Sequence, residues 1–127
     1  MDISKFEQFT KTGTKLSNNN ISINKAHNFG FNSGFYHRSG IKNFKFVVLF
    51  FNKQENSIGF LFSNDEVGGR FTITHSENKT SGGVTCRSFF SNYDLKCVEM
   101  AGQYLPQEIS HPDFGKMFVI DLNKKIK

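Results

Sequence analysis

Two runs of sequence decide the fold: Phe44-Lys45-Phe46-Val47-Val48-Leu49-Phe50-Phe51 and Ile58-Gly59-Phe60-Leu61-Phe62, separated by Asn52–Ser57. Phe, Val, Leu and Ile fill a pleated surface well and form strands readily. The polar stretch Asn52–Ser57 has the length and composition of a hairpin connection, so the second run is expected to pair back on the first. Both faces of Phe44–Phe51 are apolar, which predicts a central strand or one covered on both sides. Phe46–Phe51 is also the longest apolar run, and at six residues it is far short of the ~18 that a membrane helix needs.

Working outward, Ile21 and Ile23 alternate with Ser22 and Asn24, and Phe29 and Phe31 alternate with Asn28, Gly30 and Asn32. That period of two reads as two short half-buried strands with Lys25–Asn28 as the bend. A short helix is expected over Ser33–Ile41, capped by Ser33, with Phe35 and Ser39 on one face and Gly40 as its stop. Downstream, Gly68-Gly69 opens a strand Phe71–Thr74, and Ser81-Gly82-Gly83 leads into Val84-Thr85-Cys86. A second short helix covers Ser88–Tyr93. Cys97–Met100 and Met117–Leu122 read as strands, with Pro106 and Pro112 confining the intervening stretch to loop. At the start, Ser4 and Glu7 fit a capping box for a helix over Asp2–Gly13, and Thr14–Asn20 is polar linker.

These elements predict a single β-rich α+β domain over 1–127 built of short antiparallel strands, with two short helices and an N-terminal helix. Its parts are an N-terminal helix and linker (1–20), a first unit (21–64), a second unit (69–122) and a basic tail (123–127). Each unit runs strand, turn, strand, short helix, strand, return strand. Phe35, Tyr36 and Ile41 match Phe89, Phe90 and Leu95 at a constant offset of 54 residues. The match suggests two pseudo-repeated strand–helix–hairpin units, against the plainer account of coincidence in a chain with sixteen Phe.

The same sixteen Phe, with three Tyr and no Trp, set the composition apart. Phe46, Phe50, Phe60, Phe62 and Phe71 sit at strand positions expected in the core. Phe6, Phe9, Phe44, Phe51 and Phe114 are expected to be semi-exposed, and a cluster of them would read as a partner surface or homodimer interface. Phe, Lys, Asn and Ile share A/T-rich codons, so an AT-rich genome accounts for part of the excess. Formal net charge is +5, with thirteen of the sixteen basic residues Lys. Residues 1–53 hold eight basic and two acidic side chains, so the basicity belongs to that half. Such asymmetry points to an anionic partner or, more plainly, to a solvated lysine surface. Met1-Asp2-Ile3-Ser4-Lys5 has no apolar leader core, so no signal peptide and a cytoplasmic location are expected. Cys86 and Cys97, outside any CxxC pattern, then read as small buried hydrophobes.

Residues 25–47 read Lys25-Ala26-His27-Asn28-Phe29-Gly30-Phe31-Asn32-Ser33-Gly34-Phe35-Tyr36-His37-Arg38-Ser39-Gly40-Ile41-Lys42-Asn43-Phe44-Lys45-Phe46-Val47. This frame resembles the swapped-hairpin DNA-binding module of AbrB-type transition-state regulators and MraZ-like proteins. In that family an alternating strand leads into one helical turn, a glycine-apolar corner and a return strand. Phe29 and Phe31 fall at the strand apolars, Phe35 at the helix apolar, and Gly40-Ile41 at the corner. The resemblance implies a swapped-hairpin fold and DNA binding. The chain departs from it at the contact positions: His27-Asn28 replaces Gly-Arg, and Tyr36 and His37 stand where the family has helix arginines. The whole chain also looks like small uncharacterised bacterial and phage proteins, a likeness that implies no activity.

No pattern for catalysis or for a cofactor stands out. His27, His37, His75 and His111 are scattered without HxxxH spacing, and His111-Pro112-Asp113 reads as a turn. Gly68-Gly69-Arg70 and Gly82-Gly83 lack the Lys-Ser/Thr of a phosphate loop. The expectation is therefore a non-enzymatic protein with no cofactor, no metal and no small-molecule substrate, and no membrane span. Its leading function is binding of nucleic acid by the basic half through Lys25, Asn28, Arg38, Lys42 and Lys45, with Tyr36 and His37 beside them. Lys124-Lys125-Ile126-Lys127 would add a flexible arm. The alternative is a protein-interaction or self-associating module that binds no nucleic acid.

Overall fold

The computed structural model describes residues 19–126, so the helix expected over Asp2–Gly13 lies outside the described residues. In chain order the elements are β1 (Ile21–Ile23), β2 (Asn28–Phe31), α1 (Ser33–Ser39), a 3₁₀ turn (Ile41–Asn43), β3 (Phe46–Asn52) and β4 (Ser57–Ser63). There follow β5 (Phe71–Thr72), β6 (Thr74–His75), β7 (Gly82–Thr85), α2 (Arg87–Asn92), α3 (Cys97–Met100), β8 (Gly102–Tyr104), β9 (Gln107–His111) and β10 (Gly115–Asp121). They form two five-stranded sheets, ordered β6-β7-β2-β1-β8 and β5-β3-β4-β10-β9. Every strand pair is antiparallel. The expected β-rich α+β architecture with few short helices is the one observed.

The 44–62 stretch folds as read, with β3 and β4 paired along their length from Phe46↔Ser63 to Asn52↔Ser57. Period-two alternation sends Val47, Leu49 and Phe51 to the core. Phe46, Val48 and Phe50 take the opposite face, so the core expectation for Phe46 and Phe50 is corrected. Both faces of this strand are apolar, and its local pattern carries no sign of which one the other sheet covers.

Phenylalanine rings join the two sheets. Phe29 meets Phe60 edge-on at 5.0 Å between centroids, Phe31 meets Phe62 at 5.3 Å, and Phe35 of α1 meets Phe118 at 5.0 Å. Edge-to-face pairs of this kind add about 0.5–1.5 kcal/mol each beyond the area they bury. Ile73 marks a corner: its N–H donates to the Lys45 carbonyl at 2.9 Å, and the chain crosses from β5 in one sheet to β6 in the other.

Each unit contributes one hairpin to each sheet: β1–β2 and β3–β4 from the first, β6–β7 and β9–β10 from the second. The units meet at the middle of both sheets, where β2 pairs with β7 through Gly30↔Gly83 and β4 pairs with β10 through Phe60↔Phe118. The offset of 54 read from the sequence carries β2 onto β7 residue for residue. Because those strands run antiparallel, α1 and α2 leave opposite ends of the pair. Phe35 and Tyr36 fill one end of the core, and Phe89 and Phe90 the other.

Three local expectations are corrected. Cys97–Met100 is a helical turn, not a strand, because its core-facing residues are Cys97 and Met100, three apart, while Val98 is 63% exposed. The stretch bounded by Pro106 and Pro112 contains β9 rather than loop only. The prolines lie just outside the ends of an edge strand, where their missing N–H groups are tolerated. Finally α1 takes Asn32 at its N-cap position and Ser33 as its first residue. Gly40 ends it as expected, in the left-handed conformation at φ 74°.

Candidate interaction surfaces

The five residues expected to bind nucleic acid divide between the two ends of β2. Lys25 is exposed in the β1–β2 turn, where its carbonyl accepts from the Cys97 thiol at 3.2 Å. Asn28 follows it, half-buried, with its side-chain oxygen enclosed and unpartnered among the described residues. The other three come after the far end of β2, a strand that spans roughly 13 Å at about 3.3 Å per residue. There Arg38 is exposed on the last turn of α1, its guanidinium 5.8 Å from the Phe35 ring centroid. Lys42 is exposed on the 3₁₀ turn and Lys45 just before β3.

Asn64 holds that second group in place. Its side-chain oxygen accepts from the Lys45 N–H and its amide donates to the Asn43 carbonyl, both at 2.9 Å. Arg38, Lys42 and Lys45 form no ion pair among the described residues, where the pairs are Lys96–Asp94 and Lys116–Glu108. Arg70, just before β5, packs its guanidinium 5.0 Å from the Phe46 ring centroid. Asp65 and Glu66, exposed beside Asn64 in the chain, oppose the cationic field there.

Tyr36 is corrected from a surface contact to a core residue: it is fully buried, and burial raises its phenol pKa. His37 stays exposed. The tail is corrected likewise. Lys125 donates from Nζ to the carbonyls of Glu99 and Ala101 at 3.1 Å each, and Ile126 donates its N–H to Gln103 at 2.7 Å. A lysine on the final carbonyls of α3 meets otherwise unpaired acceptors.

A second surface feature lies on the outer face of the second sheet. A groove of about 600 Å3 has Phe50, Gly59, Met117 and Val119 on its floor, with Ile109 at the β9 edge and Leu105 and Ile126 along one side. Glu55, Asp121 and Lys124 bring charge to the end nearest the β3–β4 turn. Gly59 has to be small: a Cβ there would lie 2.9 Å from the Met117 methyl and 3.4 Å from the Phe50 Cβ. Leu105, Ile109 and Ile126, three of the seven exposed large apolar residues among the described residues, line this groove. Phe114, half exposed, packs its ring against Phe50, tilted by 44° with centroids 5.0 Å apart. Of the phenylalanines expected to be semi-exposed, Phe44 and Phe51 are half-buried against the core and Phe114 is half exposed, while Phe6 and Phe9 lie outside the described residues.

Sequence reasoning missed the groove because its walls come from residues 50–59 and 105–126, which only sheet pairing brings together. The cysteines are free and buried, and burial pushes the Cys86 thiol up to about 12, which leaves it protonated. Among the described residues, no three His, Cys, Asp or Glu side chains gather as a metal site, and no helix is long and apolar enough to cross a membrane. In comparisons with known proteins, the chain matches no family model, no curated protein and no solved structure.

Proposed function

We propose that this chain is a non-enzymatic protein-interaction module whose contact surface is the outer face of the second sheet. One observation carries the reading: Leu105, Ile109, Ile126 and Phe114 are each at least 40% exposed and converge on or beside one apolar groove. Exposed apolar side chains scattered singly need no explanation, but a contiguous patch framed by polar residues is the usual form of a protein contact. The groove's volume and its apolar floor of Phe50, Met117 and Val119 suit an apolar segment of a partner. Selection of peptides from a display library against the full chain tests this. Apolar peptides are expected, and Leu105→Asp and Ile126→Asp should weaken them at least tenfold while Val98→Asp leaves them unchanged. A selection without apolar peptides, or binding indifferent to both groove variants, defeats the reading.

A second reading, binding of a nucleic-acid backbone, is favoured by Arg38, Lys42 and Lys45 at one end of the molecule without carboxylate partners among the described residues. Cations not already paired can replace the counterions of a phosphate chain. The reading also draws on the resemblance of residues 25–47 to the swapped-hairpin DNA-binding module of the AbrB-type family. Burial of Tyr36, at a position where that family has an arginine, leaves this contact surface to the three cations.

A further inference from the structure

We infer that two copies of this chain join edge to edge through β9, with Ile109 on the two-fold axis. The inference rests on the reading of the second sheet as the contact surface and names its partner. Five exposed or half-exposed residues, Gln107–His111, form the outermost strand of that sheet, and no other segment among the described residues hydrogen-bonds along its free side. The remaining sheet edges offer less. The strands β5 and β6 have two residues each, and β8 is met by the tail through the Tyr104↔Lys125 bridge and the Gln103 carbonyl. An uncovered edge of unpaired N–H and C=O groups is a template for another strand.

The sequence of β9 suits a copy of itself. Pro106 and Pro112 stand three residues to either side of Ile109, so the available stretch is symmetric about that residue. Antiparallel pairing centred there sets Ile109 opposite Ile109, Gln107 opposite His111 and Glu108 opposite Ser110 of the second copy. No like charges face one another. Charge is complementary along one row: Lys116 lies beside Ser110 in the β9–β10 pairing, so the second copy's Glu108 falls two strands from it. Two strand spacings, about 10 Å between axes, are within reach of two long side chains. Within each copy the same Lys116 already lies 3.6 Å from Glu108 across the diagonal of the β9–β10 pair, so in the dimer it stands between two Glu108 carboxylates. On the opposite face the two apolar grooves join across Ile109. A two-fold contact between identical edges closes on itself, giving a dimer rather than a fibre.

Light scattering on the full chain should read twice the 14.5 kDa monomer mass at high concentration. Residues directly opposite in an antiparallel pair have Cα atoms about 4.5–5.5 Å apart, within disulfide reach. With a mild oxidant to take up the two electrons, Ile109→Cys should link to its second copy. Ser110→Cys should not, since its own image lies beyond about 7 Å. Ile109→Lys and Ile109→Glu should each be monomeric, and an equimolar mixture should restore the dimer. A monomeric mass throughout, or a dimer in which Ile109→Cys links no faster than Ser110→Cys, overturns the inference. In either case the peptide selection with Leu105→Asp and Ile126→Asp judges the interaction reading separately.

Discussion

The phenol of Tyr36 donates to Nδ1 of His75 at 2.7 Å, and Nε2 of the same ring donates to the Phe44 carbonyl at 2.8 Å. A backbone carbonyl can only accept, so Nε2 carries the proton and Nδ1 is the acceptor that the buried phenol requires. The imidazole thereby ties α1 and the first sheet to the segment that enters β3 of the second.

Loss of the phenol should therefore weaken the whole fold. Tyr36→Phe keeps the ring but leaves Nδ1 of a partly enclosed imidazole unpartnered, a loss of about 1–3 kcal/mol. The denaturation midpoint should fall without a change in the slope of the transition. Ring nitrogen shifts in solution should identify the Nε2–H form of His75 in the native chain. An Nδ1–H form would mean the bond runs otherwise.

Truncation should discriminate sharply between the two faces of the second sheet. Phe60 is fully buried against Phe29 and Phe31, so Phe60→Ala should lower stability by about 3–5 kcal/mol. Phe50 lies on the groove and is only half-buried, so Phe50→Ala should lose less stability and should loosen any peptide bound there. Equal losses in urea titrations would contradict the assignment of faces.

Alkaline pH should destabilise the chain through Cys86. Its ordinary value is 9.0 and burial raises it to about 12 in the folded chain, so between those values the folded state holds a proton that the unfolded state has lost. Stability is thus fully present below pH 9 and falls as pH rises toward 12. Tyr36 and Tyr104, both raised by burial, act in the same direction. Cys86→Ala should flatten the alkaline limb measured by unfolding across pH 8–11, and an unchanged limb would assign it to other groups.

Polyanion affinity, if it resides in Arg38, Lys42 and Lys45, should depend steeply on salt. Each phosphate contact contributes about 0.9 to the slope of log affinity against log salt on duplex DNA. Lys42→Gln with Lys45→Gln should reduce the slope by roughly two, while Lys25→Gln, beyond the other end of β2, should leave it unchanged. Equal sensitivity to Lys25 would mean a diffuse field instead of one cationic end.

Local order was readable from residue type and spacing alone. Ile21 and Ile23, Phe29 and Phe31 declare their strands by period two, Gly40 ends α1 because its left-handed conformation costs glycine least, and Asn52–Ser57 turns β3 back on β4. The offset of 54 that matches Phe35 and Tyr36 to Phe89 and Phe90 also relates β2 to β7, but that these two strands pair was not legible in it. These signals involve neighbours within a turn or a strand, where sterics and side-chain period act directly. Tertiary structure decided the rest. Phe46 and Phe50 face outward while Val47 and Phe51 face inward, although both faces of β3 are apolar, because the covering sheet is supplied by residues distant in the chain. Tyr36 and His75, 39 positions apart, and the groove walls from 50–59 and 105–126 likewise depend on long-range pairing, which no local period encodes.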